Sequence, residues 1–438
     1  MESTDADGLT SPASILVALV TVIFLLHRIC PHLFEPKADK VTESIVITSS
    51  NKSDLTVSKE SEIPEGWWNG REVFELERRA LFSQRWLYLA HCSQFQKPGS
   101  YQSFDIAGFP VFLIRGKDNK IRAFHNVCRH RAYTIARKET GASTILGCRY
   151  HGWSYDTTGR LVKAPQFDDV PGFDKSQNSL FEVHTYTTGQ GMIFVNLNSG
   201  EPAAFGSGMA SSLSGFARMA GLEARSNWVA GQTLSGDFNW KVGARARHLD
   251  VYTSELHRGM SELSGPSPLI KFVRSITRRC TREEYFLFPT TLIYSFQYVN
   301  LCLALSFFPA SESKTNIRFD LFASSAVNEP EIQRMSEVLK SATKNLVGEI
   351  ELEYQYISTE KGSLAELDST DTRRILSRLQ EHTKLERIEG GQILPAMHKP
   401  KGSTLFQKAD QLCKELDCVG GGSQNSSHNG TSPNALDW

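Results

Sequence analysis

Between residues 64 and 200 the apolar positions switch from a helical to a strand-like period. Val73, Leu76, Ala80 and Leu81, in the run WWNGREVFELERRALFSQRW after Pro64, fall at helical spacing. Short β-rich runs follow at Tyr101–Ile106, Pro110–Arg115 and Ile121–Val127, and the polar stretch Gly116–Lys120 makes the last two a hairpin. Val183–Tyr186 and Gly191–Leu197 read as further strands. A Gly-, Ser- and Ala-rich stretch at 199–221 marks a boundary. Beyond it the pattern predicts a helix from about Trp240 to Leu263 and strands around 284–296, 301–308 and 318–323. Spaced apolar residues over 329–356 then predict a long amphipathic helix. Strands with helices laid on them make the class α+β.

The two ends differ from this middle. Gly8 to Leu26 carries no charge, and ASILVALVTVIFLL (residues 13–26) is almost wholly apolar. About 20 such residues cross a bilayer, so one transmembrane helix is expected. A signal peptide fits less well, because the start is acidic (Glu2, Asp5, Asp7) and His27, Arg28, His32 and Lys37 follow the segment. The expectation is a single-pass protein of the endoplasmic reticulum with its body in the cytosol. The sequons at Asn51, Asn425 and Asn429 would then stay unmodified. Residues 1–35 form the anchor, 36–63 a polar flexible stalk, 64–200 and 201–415 two domains, and 416–438 a Gly/Ser/Asn-rich disordered tail.

A chain of 438 residues with zero formal charge has ample core and no electrostatic case for a nucleic-acid partner. Of eight cysteines, Cys30, Cys92, Cys280, Cys302, Cys413 and Cys418 show no disulfide spacing. The other two sit in a ligand pattern. Cys128-x-His130 is followed, after seventeen residues, by Cys148-x-x-His151, with Gly152-Trp153 behind it. Two thiolates and two imidazoles suit a [2Fe–2S] centre in which two His replace two Cys on one iron. A zinc site is the rival, but zinc fingers usually put Cys beside Cys and His beside His. Here each half-site holds one of each. The segments CRHR and CRYHGWSYDTTG resemble the Rieske domains of ring-hydroxylating and choline monooxygenase-type oxygenases.

The resemblance runs on through Asn239-Trp240-Lys241-Val242 and Phe288-Pro289-Thr290-Thr291-Leu292-Ile293, covering roughly residues 64–356. It implies a helix-grip catalytic domain with one mononuclear Fe(II) held by two His and a carboxylate, leaving positions for O₂ and substrate. It also implies electron transfer between subunits of a ring, hence a possible homotrimer. The family pattern D-x-x-H-x-x-x-x-H meets Asp250 at the bridging carboxylate, but Thr253 and Arg258 at the two histidines, with His257 one residue early. A guanidinium stays protonated and cannot ligate. Substitute ligands are His248, His257, Glu349 and Glu353. Nine residues separate the histidines, which sets them on opposite sides of a straight helix unless it is broken or bulged. A competing reading makes His248 and His257 surface residues or supports behind a site, and Glu349 and Glu353 a solvated stripe.

Trp67, Trp68, Trp86 and Trp153 read as packing aromatics, and His125 as a strand-end residue. Arg129 and Arg149 are candidates for docking a donor or partner subunit, and Tyr150 or Tyr155 for a hydrogen bond to a cluster sulfur. The expected function is a membrane-anchored Rieske-type oxygenase. It would take electrons from NAD(P)H through a separate reductase, use O₂, and hydroxylate, demethylate or desaturate a small hydrophobic substrate. An electron-transfer or binding protein that has lost the mononuclear iron is the alternative.

Overall fold

A computed structural model of the chain describes residues 63–168, 170–244, 246–263, 284–296, 301–324, 329–359 and 370–395. The expected anchor, stalk and tail therefore lie outside the described residues. No described helix is long and apolar enough to cross a membrane.

The chain enters through helix α1 (Arg71–Glu77), which widens into a π turn over Arg78–Phe82. Ten strands follow: β1 (Leu87–His91), β2 (Ser100–Ile106), β3 (Phe109–Arg115), β4 (Ile121–His125), β5 (Thr140–Ala142), β6 (Ile145–Gly147), β7 (Ser154–Asp156), β8 (Leu161–Lys163), β9 (Glu182–Thr187) and β10 (Met192–Asn196). Seven of them form one antiparallel sheet in the order β1-β10-β9-β4-β3-β2-β5, and β6-β7-β8 form a small second one. The expected β3–β4 hairpin is present, with Arg115 opposite Ile121.

Helix α2 (Ser207–Met219) occupies the stretch whose small residues read as a boundary. It forms because Leu213, Phe216 and Ala217 share one face, which packs on Met192 and Phe194 and on Cys302 and Ala304 of the later sheet. Strand β11 (Asn227–Gly236), the short helix α3 (Trp240–Gly243) and helix α4 (Ala246–Leu263) come next. After them stand β12 (Glu284–Leu287), β13 (Thr291–Phe296), β14 (Leu301–Ser311) and β15 (Lys314–Ala323). Their sheet runs β11-β15-β14-β13-β12, with helices α5 (Glu329–Thr359) and α6 (Thr370–Glu389) closing the described chain. β13 is buried at every position, its hydroxyl residues Thr291 and Ser295 enclosed along with Leu292, Ile293, Tyr294 and Phe296.

The Asn-Trp-Lys segment knits the two halves. The Asn239 side chain accepts from the Lys241 amide at 3.0 Å, capping α3. Trp240 Nε1 and Lys241 Nζ then both donate to the Glu77 carboxylate, at 2.8 and 2.5 Å. Lys241 Nζ also lies 4.6 Å from the centre of the Trp67 ring, a cation–π distance. Trp240 joins the core beneath the first sheet, together with Phe308, Ile375, Leu376 and Leu379. A second bridge is Arg318 on β15, which holds Asp320 at 2.7 Å and Glu139, just before β5, at 2.9 Å.

Candidate iron–sulfur site

Two loops of the same construction carry the four motif residues. After β4, the Cys128 amide donates to the Tyr133 carbonyl at 2.8 Å, and the Ala132 amide donates back to the Cys128 carbonyl at 2.9 Å. Between β6 and β7, the Cys148 amide donates to the Trp153 carbonyl at 2.8 Å, and the Gly152 amide to the Cys148 carbonyl at 3.0 Å. Each loop therefore closes with the same pair of bonds. Each also needs a left-handed residue at its fourth step, Ala132 at φ 55° and Gly152 at φ 71°. Glycine adopts that conformation freely and alanine at a cost.

The loops sort their donors by type. Cys128 and Cys148 are both buried and hydrogen-bonded through their side chains. That bond lowers the Cys148 thiol to about 6; burial opposes the shift, while the amides of Tyr150 and His151 assist it. The same bond, with burial, raises Cys128. The imidazoles of His130 and His151 form their own pair, with ring centroids 4.5 Å apart. Sulfur with sulfur and nitrogen with nitrogen is the division a Rieske cluster makes between its two irons. Amide donors aimed at the sulfurs favour their charged form, and the donor chemistry fits the group.

Aromatic residues hold this arrangement from below. Trp153, fully buried, stacks on His130 with ring centroids 5.0 Å apart at 9°, and Phe167 meets the same imidazole edge-on with centroids 5.3 Å apart. The Tyr155 hydroxyl lies 3.3 Å from Cys128 Sγ and accepts from the Arg129 amide at 3.1 Å. Burial, first, and the nearby Cys128 raise Tyr155, so it stays a hydroxyl. Of the two tyrosines expected near a sulfur, it is Tyr155 that makes the contact. Arg129 turns inward, donating to the Ser179 carbonyl at 2.6 Å over the Phe181 ring, so it braces the loop rather than presenting a docking charge. Arg149 is exposed. His125 ends β4 as expected, and burial lowers it to about 4.

Asn126 is a residue the sequence reading missed. It is buried, and its side chain accepts from the amides of Ile135 and Ala136, at 3.2 and 2.8 Å, while donating to the Ala136 carbonyl at 2.9 Å. These bonds close the chain behind His130. Asn126→Ala should therefore cost roughly 2–4 kcal/mol, from about 1 kcal/mol per hydrogen bond plus the buried groups left unsatisfied. Denaturant unfolding measures it, and a loss below about 0.5 kcal/mol would remove the bracing role.

The candidates for a second metal are only partly brought together. His248 on α4 hydrogen-bonds the Glu353 carboxylate on α5, and both side chains are 9 % exposed. Glu349, one turn earlier, is exposed, as are Asp250 and Arg258. Thr253 is buried and donates to the Asp250 carbonyl of its own helix at 3.2 Å. The His257 side chain lies outside the described residues. Its backbone belongs to α4, which is unbroken from Ala246 to Leu263, so the break needed to bring positions 248 and 257 together is absent. Among the described residues, no three His, Cys, Asp or Glu side chains gather as a mononuclear site requires. Of the four candidates, His248 and Glu353 are the two that meet, and the His257 side chain is not among the described ones.

Comparison with known proteins agrees with the geometry. Residues 85–174 match the family model described as Rieske [2Fe–2S] domain. The carnitine monooxygenase oxygenase subunit of Acinetobacter baumannii is 34% identical over 31% of this chain and 36% of its own length. The glycine betaine monooxygenase oxygenase subunit of Chromohalobacter salexigens is 36% identical over 32% and 31%, and the chlorobenzene dioxygenase subunit alpha of a Cupriavidus species 35% over 31% and 30%. The chain thus aligns with only about a third of the length of these relatives. In structure, a quaternary ammonium Rieske monooxygenase bound to L-carnitine superposes with a TM-score of 0.54 at 19% identity, covering 82% of this chain and 99% of that one. This likeness extends the shared fold past the matched domain.

These relatives correct one expectation. They are bacterial oxygenases, and bacteria have no endoplasmic reticulum. The single-pass endoplasmic reticulum location is therefore withdrawn; the apolar segment at 8–26 lies outside the described residues, so the membrane partner stays an expectation. The segment carrying the four donors is a Rieske [2Fe–2S] domain, and through it the chain is related to the Rieske non-haem iron oxygenase alpha subunits.

Proposed function

We propose that this chain is the oxygenase component of a Rieske-type system acting on a small molecule. Cys128, Cys148, His130 and His151 would hold the [2Fe–2S] cluster. When bound, such a cluster passes single electrons at roughly −150 to +300 mV. Electrons would come from NAD(P)H through a separate reductase, and O₂ would be the oxidant. The observation that carries this reading is the sorting of thiols into one pair and imidazoles into another on two matched loops. Half-sites that each mix one Cys with one His also differ from the usual zinc finger, which sets Cys beside Cys and His beside His. Around the sulfurs, the Tyr155 hydroxyl and the amides of Tyr150 and His151 offset added negative charge, which favours reduction.

An apolar amino terminus that holds the protein beside lipid favours a hydrophobic substrate. The carnitine and glycine betaine monooxygenases among the relatives are named for charged, water-soluble compounds, so that restriction is dropped. Asp250, exposed on α4, is the candidate electron bridge to a neighbouring subunit of a homotrimer. His248, His257, Glu349 and Glu353 remain the candidate donors for a second metal, and the His248–Glu353 contact favours those two.

A second reading, an electron-transfer protein on an oxygenase scaffold, is favoured by Thr253 and Arg258 at the expected histidine positions. Counting iron and labile sulfide in purified protein separates the two. The oxygenase reading expects about three irons per chain and the carrier reading about two, each with about two sulfides. Zinc in place of iron sinks both. A reductase-coupled product assay then tests turnover.

A further inference from the structure

The imidazole pair is walled unequally. On the inner side Trp153 and Phe167, both fully buried, cover His130. On the outer side the cover is a pair of half-exposed tyrosines. Tyr150 sets its ring against the edge of His151 at 4.1 Å and 76°, and Tyr133 stacks on Tyr150 at 4.2 Å and 22°. The two tyrosines come from different loops. The Tyr133 carbonyl is fixed by the Cys128 amide, so the first loop delivers its ring onto the second. With 49 % and 46 % of their surfaces in water, neither ring is needed to fill a core.

We infer that the Tyr133–Tyr150 stack is a removable shield that keeps water from His151 and thereby holds the reduction potential of the centre down. The inference rests on the cluster reading above. With two thiolates and two neutral imidazoles, a [2Fe–2S] centre is uncharged when oxidised and singly negative when reduced. Water stabilises the charged form, so solvent exposure raises the potential and an apolar cover lowers it. The tyrosines are positioning residues, acting through His151 by excluding water. Their faces do this work, not their hydroxyls.

The test uses the full-length holoprotein with Tyr133→Ala, Tyr150→Ala, Tyr133→Phe and Tyr150→Phe. Dye-mediated redox titration reads the potential, and pulsed EPR of the reduced centre in D₂O reads deuteron coupling from nearby water. Both alanine variants should shift the potential upward and strengthen the deuteron signal. Both phenylalanine variants should match wild type. Alanine variants at the wild-type potential and coupling overturn the shield while leaving the cluster reading intact. Phenylalanine variants that shift as far as alanine also overturn it, because the hydroxyls would then be responsible. A wild-type protein without the iron–sulfur spectrum overturns the shield and the cluster reading together.

Discussion

Cys128→Ser and His151→Ala should each abolish the visible iron–sulfur absorbance while leaving the sheets folded. Each change takes one donor from its pair, and the cluster has no spare ligand. The fold beneath should survive, because Phe112, Phe124, Trp153, Tyr155 and Phe167 form an aromatic core that does not depend on the metal. Absorbance spectra with iron analysis give the first quantity, and circular dichroism the second. Absorbance at the wild-type level in either variant would show that the ligand assignment is wrong.

The largest effect on stability is expected at Lys241. Its side chain is 3 % exposed and that of Glu77 fully buried, so the pair carries its desolvation cost inside the protein. Burial lowers Lys241, and the Glu77 carboxylate, nearby and hydrogen-bonded, opposes that shift. Lys241→Met leaves Glu77 buried without its cation and should cost roughly 3–5 kcal/mol. The double variant Lys241→Met/Glu77→Leu should recover most of the loss, since a packed apolar pair often replaces a buried ion pair at little cost. Thermal or denaturant unfolding of the three proteins decides it. A single variant within about 1 kcal/mol of wild type contradicts this account.

How much could be read in advance followed from the range of each interaction. The cluster loops were legible because their donors lie within two or three residues of each other and their loops close locally. The hairpin around Gly116–Lys120 was legible for the same reason. Helix α2 was not, since its Gly, Ser and Ala residues hide a stripe of only three buried positions. Strands β1 and β11 and helix α6 were also missed. The His248–Glu353 contact joins residues 105 positions apart, so only the packing of α4 on α5 could select Glu353 over Glu349. The bulge invoked to join His248 and His257 had no local signal, and the helix runs through without it. Asn126 carries no motif; its role exists only once the chain turns back on it.

The core shared by the first sheet, Trp240, Phe308 and α6 has a mechanical meaning. A boundary drawn near residue 200 divides the sequence but not the oil inside the molecule. Bending one half against the other would have to pull Trp240 and Phe308 out of their seats. The spacing between the cluster loops and the later sheet is therefore held by this shared packing, like the arms of a welded bracket.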